Sequence, residues 1–253
     1  MEKSFQFNLL ESGVQLSPEH KELLMKWGLD RSLSKHKFNF DQPMQIYEIE
    51  NFIYSLLRSQ AVSASLGVAG LDIVKVKFEK LTCNNTTLDL FNVLKEGSIA
   101  PVRPDGSING CFPDKFQDVN CETELHMALL NEDSDQYCLF SDEDRNEFLF
   151  RLFQLVVIGG SLCQYENLLQ PYLDVTKQLY KSLVSVYKNK SENNKLMVSS
   201  SVFEVKEVSS EDGESFFPAS SWKDEHVQTV CYVIVDPEKR HVTILTNKHI
   251  PFW

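Results

Sequence analysis

A chain of 253 residues with 42% apolar side chains and 17 phenylalanines can bury a sizeable core, which excludes a disordered chain and a peptide that needs disulfide staples. Its net charge of −11 argues against a nucleic-acid or anionic-membrane face, because an acidic surface repels phosphate, and favours basic partners or basic segments of partners. No apolar run reaches the roughly eighteen residues of a membrane span, and the opening "MEKSFQFNLLESG" has no long apolar core of the secretory kind, so neither membrane insertion nor a signal segment is expected.

In chain order, "SFQFNLL" (Ser4 to Leu10) reads as a first strand. "SPEHKELLMKWG" carries helix punctuation: Ser17 as N-cap, Pro18 at the first helical position, Glu19 at the positive end and Gly28 as the stop. "IYEIENFIYSLLRSQ" places Ile46, Ile49, Phe52, Ile53, Leu56 and Leu57 at helical spacing. "LDIVKVKFEKL" alternates Val74, Val76 and Phe78 against Lys75, Lys77 and Glu79, the period of a strand. "TTLDLFNVLKEG" predicts a second capped helix, begun at Thr86 or Thr87 and closed by Gly97. From Ser98 to Asn120 the Pro and Gly residues predict a long loop or a boundary.

"CETELHMALLNE" predicts a short helix, and "SDEDRNEFLFRLFQLVVIGG" a strong one. There Ser141 caps, Asp144 completes a capping box, and Asp142, Glu143 and Asp144 meet the positive end of the helix dipole. The wide apolar face from Phe148 to Val157 predicts burial on most sides. "YENLLQPYLDVTKQLYKSLVSVYKN" continues helically, with Pro171 either kinking it or beginning a new helix. After the polar turn "KNKSENNK" come strands in "LMVSSSVFEVKEV", "VQTVCYVIVD" and "HVTILTNK". The last two are joined by "DPEKR", too short for anything but antiparallel pairing. The expected fold is α+β, with helices from Ser141 to Lys188 packed on a mainly antiparallel sheet that includes Val227 to Asp236 and His241 to Thr246. Two lobes are expected: residues 1–97 as an N-terminal α/β lobe, 98–120 as loop or boundary, and 121–253 as a helical segment with C-terminal antiparallel strands.

The one stretch that tempts as chemistry is "VVIGGSLCQYE". It has no Lys for a phosphate loop, no third Gly for a dinucleotide fingerprint, and no strand before it for a nucleophile elbow. It reads as a helix corner, with a left-handed Gly closing the helix and Cys163 buried beneath it without a catalytic partner. The six cysteines, Cys83, Cys111, Cys121, Cys138, Cys163 and Cys231, are scattered without a C-x-x-C pair and read as reduced thiols. The histidines are equally scattered, so no metal or cofactor is expected. The acidic stretch "NEDSDQYCLFSDEDRNE" fails as a calcium loop, having Cys138 where Gly is needed and Asp144 where Glu is needed. It reads as a capped helix start, and Asp133, Asp135 and Glu143 are its candidate docking residues for a basic partner. Asp224, Glu225 and His226 are adjacent, and adjacent residues rarely face one site. No catalytic, cofactor-binding or metal residue is assigned.

From Asp133 to about Val242 the words "DRNEFLF", "GGSLCQYE", "PYLDVTK" and "IVDPEKRH", in that order, resemble the cilia- and flagella-associated protein 300 family. The resemblance implies a non-enzymatic cytoplasmic factor that also enters the cilium or flagellum. Its implied work is the assembly or transport of axonemal dynein arms, and its implied partners are dynein-arm assembly factors, axonemal dynein chains and intraflagellar transport. No family catalytic residue carries over. The alternative is a cryptic hydrolase using Cys163 with a distant His, which would need the two side chains to converge in a pocket.

Overall fold

The structure is a computed structural model that describes residues 4–67, 72–116, 119–210, 215–217 and 226–251. The chain begins with β1 (Phe7–Ser12), α1 (Pro18–Lys26), β2 (Leu33–Phe40), α2 (Ile49–Arg58), α3 (Gln60–Ser65) and β3 (Ile73–Leu81). It goes on through β4 (Gly110–Phe116), β5 (Val119–Thr123), α4 (Glu124–Leu130), α5 (Asp142–Arg145), α6 (Phe148–Ile158) and α7 (Gln170–Leu183). It ends in β6 (Val186–Asn189), β7 (Lys195–Val198), β8 (Ser201–Ser210), β9 (Ser215–Phe217), β10 (Val230–Asp236) and β11 (His241–Asn247). The fold is α+β.

Two compact units form, and both are discontinuous in sequence. The first takes Met1–Val14, Leu33–Leu81 and Ser199–Lys248, and the second takes Gln15–Ser32, Thr82–Val198 and His249–Trp253. The contiguous division at 97 and 121 does not coincide with them. The reason is strand pairing: β2 lies between β1 and β11, so early and late strands share one sheet.

That sheet of the first unit runs β1-β2-β11-β10-β8-β3, with β9 also on β8, and its strand pairs are antiparallel. The β10–β11 hairpin pairs antiparallel, as expected, from Val230 opposite Asn247 to Asp236 opposite His241. In its connection the Lys239 amide donates to the Asp236 carboxylate (3.0 Å), and Arg240 takes the positive φ of 52°. Every residue of β10 is buried, so both faces of the central strand are covered. One face packs on α2 and α3, and these two helices cover it: Phe52, Ile53, Leu56, Leu57 and Val62 share a core with Phe38, Val233, Val235, Val242 and Ile244. Phe5, Phe7 and Phe40 close edge-on around Phe52, at 5.0, 5.4 and 4.9 Å between ring centres. In β3 the alternation holds at Val76 and Phe78 but fails at Val74, which is 39% exposed, because an irregularity between Ile73 and Lys75 shifts the register.

The second unit holds α1 and α4 to α7. Ser17 caps α1 by accepting from the His20 amide, as expected. Residues 89–95 form a 3-10 helix rather than the expected α-helix, with no side-chain cap at Leu88. The 98–120 stretch is not all loop, because β4 pairs with β5. The long helix expected after Ser141 is broken in two: Glu147 is extended (ψ 131°), the Thr82 amide donates to the Asn146 carbonyl (3.1 Å), and the Phe148 amide donates to the Thr82 carbonyl (2.8 Å). A distant chain segment thus takes backbone groups that a continuous helix would use. Helix α6 is buried from Phe148 to Ile158 apart from Arg151 and Gln154. Pro171 begins α7, which stops at Leu183; the chain then turns into the β6–β7 hairpin, whose bend uses Asn193 and Asn194 at φ 54° and 57°. Asn tolerates that left-handed conformation better than most residues.

Candidate functional site

The glycine corner of the second unit is built by close backbone approach. Gly28 (φ 68°) ends α1, and its carbonyl lies where a Cβ on Gly160 would sit. A Cβ on Gly159 would meet the Cys163 sulfur at 2.5 Å and the Trp27 carbonyl at 2.7 Å. Gly159 stands at φ 65°, ψ −157°, which is not the left-handed helical conformation expected but a region open almost only to glycine. The Gly160 amide donates to the Trp27 carbonyl (2.7 Å) and the Gln164 amide to the Lys26 carbonyl (3.0 Å), so the loop satisfies two carbonyls left open at the end of α1. Glu166 fastens the corner: it accepts from Lys26 (2.7 Å) and from the Trp27 indole (3.2 Å), while its own amide donates to the Tyr172 hydroxyl (2.8 Å).

Cys163 sits inside this corner, half-buried rather than fully buried as expected. Burial, then the nearby Glu166 carboxylate, pushes its thiol up to about 12, against a smaller pull from Lys26. The reactive thiolate is therefore scarce at neutral pH. The histidine of this unit's core, His126, is engaged elsewhere: its Nδ1 is 2.8 Å from the Thr123 hydroxyl and its ring packs edge-on to Tyr165 at 4.3 Å. Burial holds His126 down to about 4.

The acidic stretch is a surface with an internal anchor. Asn131 accepts from the Asp133 amide (3.0 Å), Ser134 accepts from the Gln136 amide (3.2 Å), and Ser141 and Asp144 form the expected capping box. Asp133, Asp135 and Glu143 are all exposed. Two charges of the stretch turn inward instead. Arg145 is 8% exposed and donates to the Ala128 (2.9 Å) and Tyr137 (2.6 Å) carbonyls, with its guanidinium 3.4 Å from the centre of the Tyr137 ring. Glu147, equally buried, accepts from the Asn84 amide, and its carboxyl is held above the usual range, burial outweighing that bond. With the stretch's only base withdrawn into the fold, its surface is wholly acidic. Sequence reasoning missed both inward charges; Arg145 beside a strongly apolar helix was the available sign. No cluster of three or more metal-ligating side chains occurs among the described residues. Asp224 and Glu225 lie outside the described residues.

The family model for Cilia- and flagella-associated protein 300 matches residues 4–247. A relative described as Cilia- and flagella-associated protein 300 from Paramecium tetraurelia is 34% identical over 255 aligned positions, covering 99% of this chain and 96% of its own. Another of the same description, from Chlamydomonas reinhardtii, is 31% identical over 242 positions, covering 92% of each. No solved structure matches the chain.

Proposed function

The chain belongs to the cilia- and flagella-associated protein 300 family, and from that membership we propose that it is a non-enzymatic factor for assembling or transporting axonemal dynein arms. The family ties it to the cilium or flagellum, and the near-complete cover of both relatives is the observation that carries the reading. Its proposed partners are dynein-arm assembly factors or axonemal dynein chains, with intraflagellar transport as the route to the axoneme. Asp133, Asp135 and Glu143 are proposed to steer a basic segment of such a partner onto the second unit. Their exposure and the inward turn of Arg145 support this, since exposed like charges speed encounter with an opposite charge. The cysteine-hydrolase alternative is disfavoured by a thiol pushed up to about 12.

Proximity labelling in ciliated cells tests the reading. Dynein chains and assembly factors should be enriched around the wild-type protein. The Asp133→Lys, Asp135→Lys, Glu143→Lys chain, which leaves the capping box intact, should recover fewer of them. Absence of both partner classes would overturn the assembly role, and equal recovery by the folded triple variant would overturn the docking residues alone.

A further inference from the structure

The β6–β7 hairpin is a two-stranded sheet of four residue pairs, separate from the large sheet. Cross-strand pairing puts Val186, Val198, Lys188 and Leu196 on one face, and Tyr187, Met197, Asn189 and Lys195 on the other. Val186 and Leu196 on the first face are 49% and 45% exposed, and Tyr187 on the second is 43% exposed. Isolated two-stranded ribbons are marginal in water and become stable when a further strand or a covering surface is added. The outer backbone edges of this hairpin pair with no other strand among the described residues.

The charge here runs against the rest of the chain. Lys177, Lys181, Lys188, Lys190 and Lys195 are set against the single acid Glu192 over that stretch, in a protein of net charge −11. All five lysines are exposed, and none forms an ion pair among the described residues.

We propose that the β6–β7 hairpin is a docking edge for an extended acidic segment of a protein partner, which adds as a third strand. The segment's backbone would meet an open edge, its apolar residues would lie on the face of Val186 and Leu196, and its alternate acids on the opposite face with Lys195, while Lys188 and Lys190 add to the basic field. Charge excludes the same hairpin of a second copy as the occupant, because pairing edge to edge would set lysines against lysines. Extended polyanions are disfavoured on range: a membrane or a long nucleic acid confronts the whole acidic chain, whereas a short strand feels charges within a Debye length of about 8 Å. This surface is independent of the acidic one and attracts the opposite kind of segment.

The test uses the full chain and a fluorescent ten-residue peptide of alternating Glu and Val. Fluorescence anisotropy should show salt-sensitive binding, and amide exchange should slow in residues 186–198 when the peptide is present. The Lys188→Glu, Lys190→Glu, Lys195→Glu chain should bind about tenfold more weakly or not at all, with circular dichroism confirming its fold. A peptide of Lys and Val should leave amide exchange in residues 186–198 unchanged. Failure of the Glu-Val peptide to bind, or binding unchanged in the triple variant, overturns the proposal. So does exchange protection confined to other segments. Tighter binding to phosphatidylserine vesicles or polyuridylate than to the peptide overturns it in favour of a polyanion, and a concentration-dependent dimer that occludes the peptide overturns it in favour of a second copy.

Discussion

His126 shows how one buried side chain sets a pH limit. Its folded pKa of about 4 lies below the ordinary 6.5, and loss of solvation is the main cause. The unfolded chain therefore takes up that proton first as pH falls. The contribution is fully present above 6.5, is lost progressively down to about 4, and amounts to about 3 kcal/mol. Urea midpoints measured from pH 7 to pH 4 should fall accordingly, and a His126→Asn chain should show a flatter fall. His36 and His241, also held below the usual range by burial, leave a residual slope of the same sign. At the glycine corner, Gly160→Ala drives a methyl into the Gly28 carbonyl, a backbone atom that cannot swing aside. The expected loss is about 1–3 kcal/mol by thermal or urea unfolding. Gly13→Ala, with nothing within 4 Å but a φ of 88°, should lose only about 1 kcal/mol through backbone strain. Equal losses at the two sites would refute the close-packed corner.

At the scale of elements, local signals were legible and distant ones were not. The caps at Ser17 and Ser141, the helical spacing in α2, and the β10–β11 hairpin rest on residues a few positions apart, and they stand where the sequence puts them. The break between α5 and α6 could not be read, because Thr82 causes it from far along the chain. The same holds for the inward turn of Arg145, which depends on carbonyls of Ala128 and Tyr137. Of the candidate site, the exposed acids were legible and their internal anchor was not. Ser141→Ala should remove the hydroxyl half of the capping box, leaving the residue-141 amide to donate to Asp144, and cost about 1 kcal/mol, with α5 showing faster amide exchange. Arg145→Ala should cost more, about 2–4 kcal/mol, since it empties a packed site and leaves buried carbonyls unmet. A chain unfolding like wild type after Arg145→Ala would show that the guanidinium anchors nothing.

The molecule as a whole divides its stability unevenly. Strand β10 is buried along its length and paired on both sides, whereas β6 and β7 pair, among the described residues, only with each other and expose most of their side chains. Native-state hydrogen exchange should therefore be slowest in β10 and β11 and fast in 186–198, which opens locally well below the global unfolding free energy. Uniform protection across these elements would contradict that gradient.

The discontinuity of the first unit has a consequence for synthesis. Strand β2 leaves the ribosome with one permanent neighbour, β1, and must wait for β11, about 200 residues later, to pair on its other side. At about 5–20 residues per second the interval is roughly 10–40 s. Throughout it the phenylalanine cluster around Phe52 has no completed sheet to rest on. A nascent chain held in that state is a substrate for chaperones, and mistimed translation between residues 82 and 198 should lower the yield of folded protein without altering any contact in the finished one.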